Sequence, residues 1–289
     1  MDKNLVILAG GISSRMKKSV VSESDIDKKL INDADEKSKS MIGVGNNYRP
    51  FLDYLLFNAN KAGYKDVTIV IGEKDNSIKD YYGYKNSGNK FLDLEITYAV
   101  QFIPDGKEKP LGTADALYQA VKLRSDWKGK KFSVCNSDNL YSVEALDLML
   151  KTEYKNAMPD YDRSALDFEV ERIEKFAVTI KDDENFLLDI IEKPDADSIE
   201  KARDTNNVIG VSMNLFSLDY DMIYHFLETV PFNPVRNEKE LPDAIKLMLK
   251  EYPKSLFCYP FAEHVPDLTN KSDIIKVKKY LEENFTNIL

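Results

Sequence analysis

The sequence predicts an α/β fold with a mostly parallel central sheet and a mixed C-terminal half. Strand-like apolar runs alternate with helix-like runs through the first half, as in sheets whose parallel strands are joined by helices. The 289 residues are 43% apolar, which is enough for one large core. Because no Pro- or Gly-rich linker divides the chain, we expect one domain over 1–289, with halves at 1–140 and 141–289.

The first half begins with a short apolar run at 5–9, which predicts a buried strand. Residues 50–62 carry apolar side chains at helical spacing, with a proline in the first turn and a glycine just past the end. A later helix is predicted at 114–123, with the hydroxyl of Thr113 as its cap. The remaining apolar runs of this half predict strands at 67–71, 94–100 and 132–135.

The second half is predicted to contain a hairpin, because two apolar runs flank a polar turn at 182–185. Its two strands are expected at 176–180 and 186–191. A longer apolar run at 208–216 predicts one further strand. The other elements expected here are helices at 219–229 and 240–250, a strand at 256–259, and a helix at 272–284 begun by a Ser/Asp cap.

Composition and charge exclude several classes of function. The net charge of −9 argues against general nucleic-acid binding. No apolar run is long enough to span a bilayer or to act as a signal segment. Cys135 and Cys258 have neither a disulfide pattern nor metal-ligand spacing. We therefore expect a cytoplasmic protein without nucleic-acid or membrane partners, and the sequence leaves its oligomeric state open, a homo-oligomer included.

The first predicted strand ends in Gly10 and Gly11, followed by two hydroxyl residues and Arg15. Glycine lacks Cβ, so this loop can adopt positive φ and bring its N–H groups against phosphate oxygens. Arg15 adds a fork of donors that suits phosphate. The loop matches neither the dinucleotide fingerprint nor the P-loop. It predicts a phosphate site after the first strand, with a simple tight turn as the alternative.

Two later segments add residues suited to a nucleotide. Gln101 ends a predicted strand, and Gly112 and Thr113 form a turn that opens a helix. Small residues there let the backbone lie against a flat base at the helix N-terminus. Asp138 follows the strand at 132–135, a position at which α/β sheets place ligands. Its carboxylate is a hard ligand that suits Mg²⁺, and a turn or cap role is the alternative.

Taken in order, these motifs resemble the sugar-phosphate nucleotidyltransferase family, also called nucleoside-diphosphate-sugar pyrophosphorylases. The family pattern is Leu-Ala-Gly-Gly-x-Gly-Thr-Arg-Leu, a lysine before an apolar pair, Gln, Gly-Thr-Ala, Gly-Asp-Asn, Glu-Lys-Pro and a late aspartate. The resemblance runs from Leu5 to about Asp273. It implies a Rossmann-like, glycosyltransferase-A-like three-layer α/β/α domain that converts a nucleoside triphosphate and a sugar 1-phosphate into a nucleoside-diphosphate sugar and pyrophosphate, with Mg²⁺ as cofactor.

The resemblance also implies a role for each matching residue. Residues 1–140 would bind the nucleotide and 141–289 the sugar phosphate. The catalytic cations would be Arg15 and Lys39. The nucleotide-binding residues would be Leu8, Ala9, Gly10, Gly11, Gln101, Gly112 and Thr113. The substrate-binding residues would be Asp138, Glu192, Lys193 and Asn214, and the metal ligands would be Asp138 and Asp267.

The chain departs from the family pattern at Ser13, which replaces the last glycine of the loop, and in the charged insertion at 17–38. We expect this insertion to be a surface loop, with a lid over polyphosphate as the alternative. It also supplies lysines that compete for the role of Lys39. The base and the acceptor stay open. The alternative functions are a cytidylyltransferase acting on choline or polyol phosphate and an inactive regulatory homologue.

Overall fold

The centre of the fold is a mixed β-sheet. The computed structural model describes residues 2–19, 26–234 and 236–286, and over these residues eleven strands form one sheet. The strands are β1 (Asn4–Ala9), β2 (Asp66–Gly72), β3 (Asn89–Phe91), β4 (Leu94–Gln101), β5 (Lys131–Asn136), β6 (Asn156–Asp162), β7 (Val178–Lys181), β8 (Leu187–Ile191), β9 (Gly210–Val211), β10 (Phe216–Asp219) and β11 (Leu256–Phe261).

Helices of two to three turns cover the sheet, with shorter ones in the connections. None of the helices in the described part of the chain combines the length and the apolar character that a bilayer crossing needs. The helices are α1 (Ser14–Lys18), α2 (Lys28–Glu36), α3 (Phe51–Ala62), α4 (Ser77–Tyr82), α5 (Thr113–Leu123), α6 (Val143–Lys151), α7 (Val170–Ile173), α8 (Ala196–Lys201), α9 (Tyr220–Thr229), α10 (Leu241–Glu251) and α11 (Asp273–Asn284).

The sheet is parallel in its first half and mostly antiparallel in its second. Strands β4, β2, β1 and β5 lie side by side and run in one direction. Beyond β5 the order continues β10, β6, β9, β7 and β8 with antiparallel pairing, while β11 pairs in parallel with β6. Because parallel strands end at the same edge of a sheet, Ala9, Gln101 and Asn136 lie along one edge.

Side-chain alternation along β1 divides the core into two apolar layers. Leu5 and Ile7 pack in one cluster with α3, α6 and α11, while Val6 packs in the other with α5, α9 and α10. All three side chains are fully buried, as expected for a strand covered by helices on both faces. The predicted three-layer α/β/α arrangement is therefore confirmed.

The strands and helices predicted in the first half are confirmed within a few residues, as are the hairpin of β7 and β8 and the later helices. One prediction was wrong: the run at 208–216 is not one strand but forms β9 and the first residue of β10. A bend separates them, and Asn214 within it has a φ of 58°, which a strand cannot contain. Strand β6 was missed because Pro159 and two aspartates interrupt its apolar pattern.

Both predicted helix caps were also wrong. The residue before α5 is Gly112, and no side chain caps that helix. The Thr113 hydroxyl instead accepts the backbone N–H of Leu241 at 2.9 Å, which ties α5 to α10. Ser272 makes no capping bond, and the Asp273 carboxylate accepts backbone N–H groups from the preceding turn. Tertiary packing, rather than local capping, uses these polar side chains.

The charged insertion at 17–38 is not simply a loop, although residues 20–25 lie outside the described part of the chain. It contains the end of α1 and the whole of α2, whose Leu30 and Ala34 are buried in the core. Its two sides are attached to one residue near the C-terminus. The backbone N–H of Lys271 donates to Ser19 Oγ at 3.0 Å, and its ammonium pairs with Asp35 at 2.7 Å.

Candidate active site

A cleft of about 680 Å³ opens at the edge of the sheet where β1, β4 and β5 end. It is lined by most of the residues that the sequence predicted for the site. Glu192, Asn214 and Asp267 are the exceptions. Glu192 forms an ion pair with Arg236 of the lining, and the Asp267 carboxylate interacts electrostatically with that of Asp138. The predicted residues that line the cleft are Leu8, Ala9, Gly10, Gly11, Arg15, Lys39, Gln101, Gly112, Thr113, Asp138 and Lys193.

The backbone of the glycine loop can lie close to neighbouring groups because its glycines have no side chains, and not because they have positive φ. Neither Gly10 nor Gly11 has a positive φ, which corrects the expectation for this loop. A Cβ on Gly10 would lie 2.8 Å from Gln101 Oε1, whereas one on Gly11 would meet no atom within 4 Å. The left-handed residue is Ser13, with a φ of 56°, and its hydroxyl accepts the backbone N–H of Lys39 at 3.3 Å.

Gln101 braces the loop against the start of α5. Its side chain is buried, and Nε2 donates to the Gly112 carbonyl at 2.9 Å and to Asp115 Oδ2 at 2.8 Å. Gly112 has a φ of 113°, and a Cβ there would lie 2.5 Å from the Lys239 carbonyl oxygen. Close backbone packing at Gly112 therefore shapes this wall, while the base-reading role of the pair stays a prediction.

Replacing Gly112 with alanine is expected to destabilise this wall of the cleft. Positive φ and the clash with the Lys239 carbonyl together cost about 2–5 kcal/mol. Gly129→Ala is a matched control, because Gly129 has a φ of 73° but open space around it. Urea unfolding should give a clearly larger loss for Gly112→Ala. Equal losses in the two variants would contradict the packing role.

The two loop glycines are expected to respond differently to alanine. Gly10→Ala should lower the free energy of unfolding by about 1–3 kcal/mol, since it displaces the braced Gln101 side chain. Gly11→Ala should leave stability within about 0.5 kcal/mol. It should nevertheless weaken triphosphate binding about tenfold, because its Cβ enters the space over the loop. Urea unfolding and nucleotide titration measure the two effects, and the reverse pattern would contradict this division.

Lys39 is the lysine that reaches Asp138. It begins a single 3₁₀ turn, Lys39–Met41, and its ammonium forms an ion pair with Asp138 Oδ2 in which both side chains are mostly buried. Lys37, a competing candidate, pairs instead with Asp33 on α2 at 2.7 Å. Burial raises the pKa of Asp138, but the Lys39 charge outweighs it, and the pKa lies below its ordinary value. Asp138 is thus held as a carboxylate.

Asp267 lies beside Asp138 although 129 residues of sequence separate them. The backbone N–H of Leu268 donates to the Asp138 carbonyl at 2.8 Å, next to a β-bridge between Asp267 and Asn139. Asp267 also accepts the Thr269 hydroxyl at 2.6 Å. Burial and the nearby Asp138 charge raise the pKa of Asp267 above its ordinary value. The two carboxylates therefore interact at the cleft wall.

The carboxylate oxygens of Asp138 and Asp267 are the type of ligand that divalent cations such as Mg²⁺ bind. Mg²⁺ takes oxygen ligands and is usually held by one or two carboxylates together with substrate phosphates. In the described residues no group of three or more His, Cys, Asp or Glu side chains could hold a metal by itself. Burial and the charge of Asp138 raise the pKa of Asp267, and a cation bound by these residues would offset the repulsion between the two carboxylates.

The second half of the chain also contributes cations to the lining of the cleft. Lys193 lines the cleft and has a φ of 48°. Sequence reasoning missed Arg236, which also lines it and pairs with Glu240 at 3.0 Å and Glu192 at 3.5 Å. Burial raises the pKa of Glu192 despite this arginine. An isolated arginine before a predicted helix gave no signal for this role, because its partners are distant in sequence.

Asn214 stays apart from this cluster. It lies at the bend between β9 and β10, and its backbone N–H donates to Ser212 Oγ at 3.3 Å. Its predicted role in substrate binding remains a prediction.

A second cleft, of about 650 Å³, adjoins the first across Gly10, Gly11 and Gln101. The insertion contributes Lys37 to it, so the insertion borders the site.

A scan against family models matches residues 28–284 to the nucleotidyl transferase family. The chain belongs to that family. The predicted resemblance is therefore confirmed.

Among curated relatives of this family member, bifunctional protein GlmU of Staphylococcus epidermidis is 23% identical over 284 residues, covering 98% of this chain and 53% of that protein. Glucose-1-phosphate adenylyltransferase of Desulforamulus reducens is 24% identical over 272 residues, covering 91% and 60%. The chain thus spans about half the length of the curated relatives it matches.

Solved structures share the fold of this nucleotidyl transferase family member over its whole length. UDP-glucose pyrophosphorylase from Acinetobacter baumanii superposes with a TM-score of 0.70 at 15% identity, covering 100% of this chain and 96% of that one. A UDP-glucose pyrophosphorylase complexed with UDP-glucose gives 0.67 at 16% identity, with 98% and 99% covered. At such identities the likeness establishes the α/β fold with its mixed sheet.

Proposed function

We propose that this chain is a Mg²⁺-dependent nucleotidyltransferase. It converts a nucleoside triphosphate and a sugar 1-phosphate into a nucleoside-diphosphate sugar and pyrophosphate. One observation carries the proposal: a single cleft gathers Arg15, Lys39, Lys193 and Arg236 around the glycine loop, with Asp138 at its wall. A cleft lined by these four cations and by Lys109 suits the meeting of two polyanions, and a strand-end carboxylate suits the metal that accompanies polyphosphate.

The reaction needs charge neutralisation more than acid–base chemistry. An oxygen of the sugar phosphate attacks the α-phosphorus in line, a new P–O bond forms, and the bond to the β-phosphate breaks as pyrophosphate leaves. The attacking group is already an anion at pH 7, so no general base is required. Cations placed where charge develops provide most of the rate in phosphoryl transfer. All four cations line the cleft. We infer that Arg15 and Lys39 bind the triphosphate, and that Lys193 and Arg236 bind the acceptor phosphate.

Asp138 and Asp267 would hold the Mg²⁺. When bound, the ion offsets the charge of the triphosphate oxygens and orients them. The glycine loop contributes backbone N–H groups, which approach a ligand closely because Gly11 leaves open space above it. Lys39 contacts Asp138 in the structure, so its ammonium lies next to the expected position of the transferred phosphate.

The names of the relatives guide the choice of substrates. One acts on glucose 1-phosphate as an adenylyltransferase, and the structural neighbours are pyrophosphorylases of UDP-glucose. We infer glucose 1-phosphate with ATP or UTP as the first pairs to test.

Two buried free thiols, Cys135 and Cys258, are consistent with the proposed cytoplasmic location, where thiols stay reduced.

Thermal unfolding in the presence of Mg²⁺ and, in turn, ATP, GTP, CTP, UTP or dTTP tests nucleotide binding. Pyrophosphate release with the stabilising triphosphate and a panel of acceptors then tests the reaction. We expect stabilisation by at least one triphosphate and turnover with a sugar 1-phosphate. Turnover only with choline or polyol phosphate would replace the acceptor class, and triphosphate binding without any turnover would favour an inactive homologue. No stabilisation by any triphosphate would refute the proposal.

A further inference from the structure

Arg172 provides Asp267 with a positive charge that the sequence did not indicate. Arg172 lies on α7, in the connection between β6 and β7, and its guanidinium is largely buried. Its Nη2 lies 2.7 Å from Asp267 Oδ2, and its Nη1 lies 2.5 Å from Asp273 Oδ1. The arginine thus bridges the proposed metal ligand to the first residue of α11.

The two contacts of Arg172 differ in kind. Nη1 donates a directed hydrogen bond to Asp273, and the guanidinium stacks over the Phe168 ring with Cζ 4.5 Å from its centre. Nη2 is buried, and among the described residues its N–H groups find no hydrogen-bond acceptor in the required direction. Its pairing with Asp267 is therefore a short ion pair that lacks the directed geometry of the bond to Asp273. Because this pair is less well aligned than the bond to Asp273, Asp267 is the partner that can leave, while Asp273 and Phe168 keep the guanidinium in place.

Asp138 and Asp267 have a matching arrangement. Each carboxylate is paired with one cation, Lys39 from the N-terminal half and Arg172 from the C-terminal half. A divalent cation bound between the two carboxylates has to compete with both of these charges. Lys39 has a second use at the triphosphate, whereas Arg172 is anchored by Asp273 and does not line the cleft.

We propose that Arg172 is the resident counter-ion of Asp267, and that Asp267 exchanges it for the divalent cation when the polyphosphate arrives. This inference rests on the proposed function, because that function supplies the metal. Arg172 is a positioning residue: it offsets the repulsion between the two neighbouring carboxylates before a metal binds, and it weakens metal binding until a nucleotide brings further ligands. The free protein is then expected to bind a divalent cation weakly.

Titration of the whole chain with Mn²⁺ alone, without nucleotide, tests this exchange. Arg172→Met removes the charge and keeps apolar bulk over Phe168, so it should tighten Mn²⁺ binding about tenfold or more. Arg172→Lys keeps the charge and should stay within about threefold of the unaltered chain. Arg203→Gln is the control for net charge, because Arg203 pairs with Glu200 on the surface. It should leave the affinity unchanged.

A merely structural role for Arg172 predicts a different result. Both substitutions at this position would then lower the melting temperature, and neither would tighten Mn²⁺ binding. That result would overturn the proposal even if pyrophosphate release were normal. Failure of the proposed function would be distinct, since the unaltered chain would then bind no triphosphate and release no pyrophosphate with any acceptor.

A structure of the unaltered chain with Mn²⁺ and a non-hydrolysable triphosphate keeps the proposal testable if Arg172→Met does not fold. We expect Asp267 to ligate the metal and its distance to Arg172 to exceed 4 Å, the limit for an ion pair. Arg172 should stay on Asp273. A metal held by Asp138 while Asp267 keeps its pair with Arg172 would overturn the exchange.

Discussion

Asp138→Asn is expected to lower pyrophosphate release by about a hundred- to a thousandfold while the chain stays folded. The substitution removes a proposed metal ligand and leaves the Lys39 ammonium without its partner at the cleft wall. Asparagine has nearly the same shape, and Asp138 is partly exposed, so the fold should tolerate it. Steady-state pyrophosphate release and thermal unfolding measure the two effects.

Asp147→Asn is the matched control for this substitution. Asp147 forms an ion pair with Lys151 on the surface of α6, four residues along the same helix, and such pairs contribute little to stability. Its replacement should leave both activity and melting temperature unchanged. If Asp138→Asn kept near-normal turnover, Asp138 would not be a metal ligand and the proposed reaction would lose its main acidic residue.

Lys39→Met is expected to lower turnover by about a hundredfold or more, with a smaller effect on triphosphate binding. In the proposed reaction the ammonium neutralises the charge that accumulates as pyrophosphate leaves, so its loss should act mainly on kcat. The free energy of unfolding should also fall slightly, because Asp138 then lacks the Lys39 counter-ion. Measuring kcat and KM for the triphosphate separates the two effects.

Lys37→Met tests whether any lysine of the insertion would serve. Lys37 is two residues away and pairs with Asp33 on α2, outside the catalytic cleft. Its replacement should change kcat by no more than about threefold. A loss of kcat equal to that of Lys39→Met would show that the charge of the whole insertion matters, and would contradict a specific role for Lys39.

Residues at strand ends could be predicted from sequence because their positions follow from a simple rule. Gly10, Gln101 and Asp138 each follow a recognisable apolar strand, and parallel strands end at one edge of the sheet. The rule brings these three together whatever the rest of the chain does. The same rule could not show how Gly10 works, since its need for a small side chain comes from Gln101 lying against it.

Residues that act through distant partners could not be predicted in this way. Arg172 and Arg236 lie in irregular connections of the second half, where no periodic pattern marks a surface. Each gains its role from carboxylates on other elements: Asp267 and Asp273 for one, Glu192 and Glu240 for the other. The helix cap predicted at Thr113 was wrong for the same reason, because the Thr113 hydroxyl contacts Leu241 rather than its own helix.

The sequence by itself determined the α/β class, the mostly parallel sheet of the first half and the strand-end loop that begins at Gly10. These depend on apolar periodicity and on glycine, which act locally along the chain. Only the tertiary structure decided which charges meet: Lys39 with Asp138, and Arg172 with Asp267. Ion pairs depend on distances of a few ångströms between groups far apart in sequence, and the packing of the three layers sets those distances.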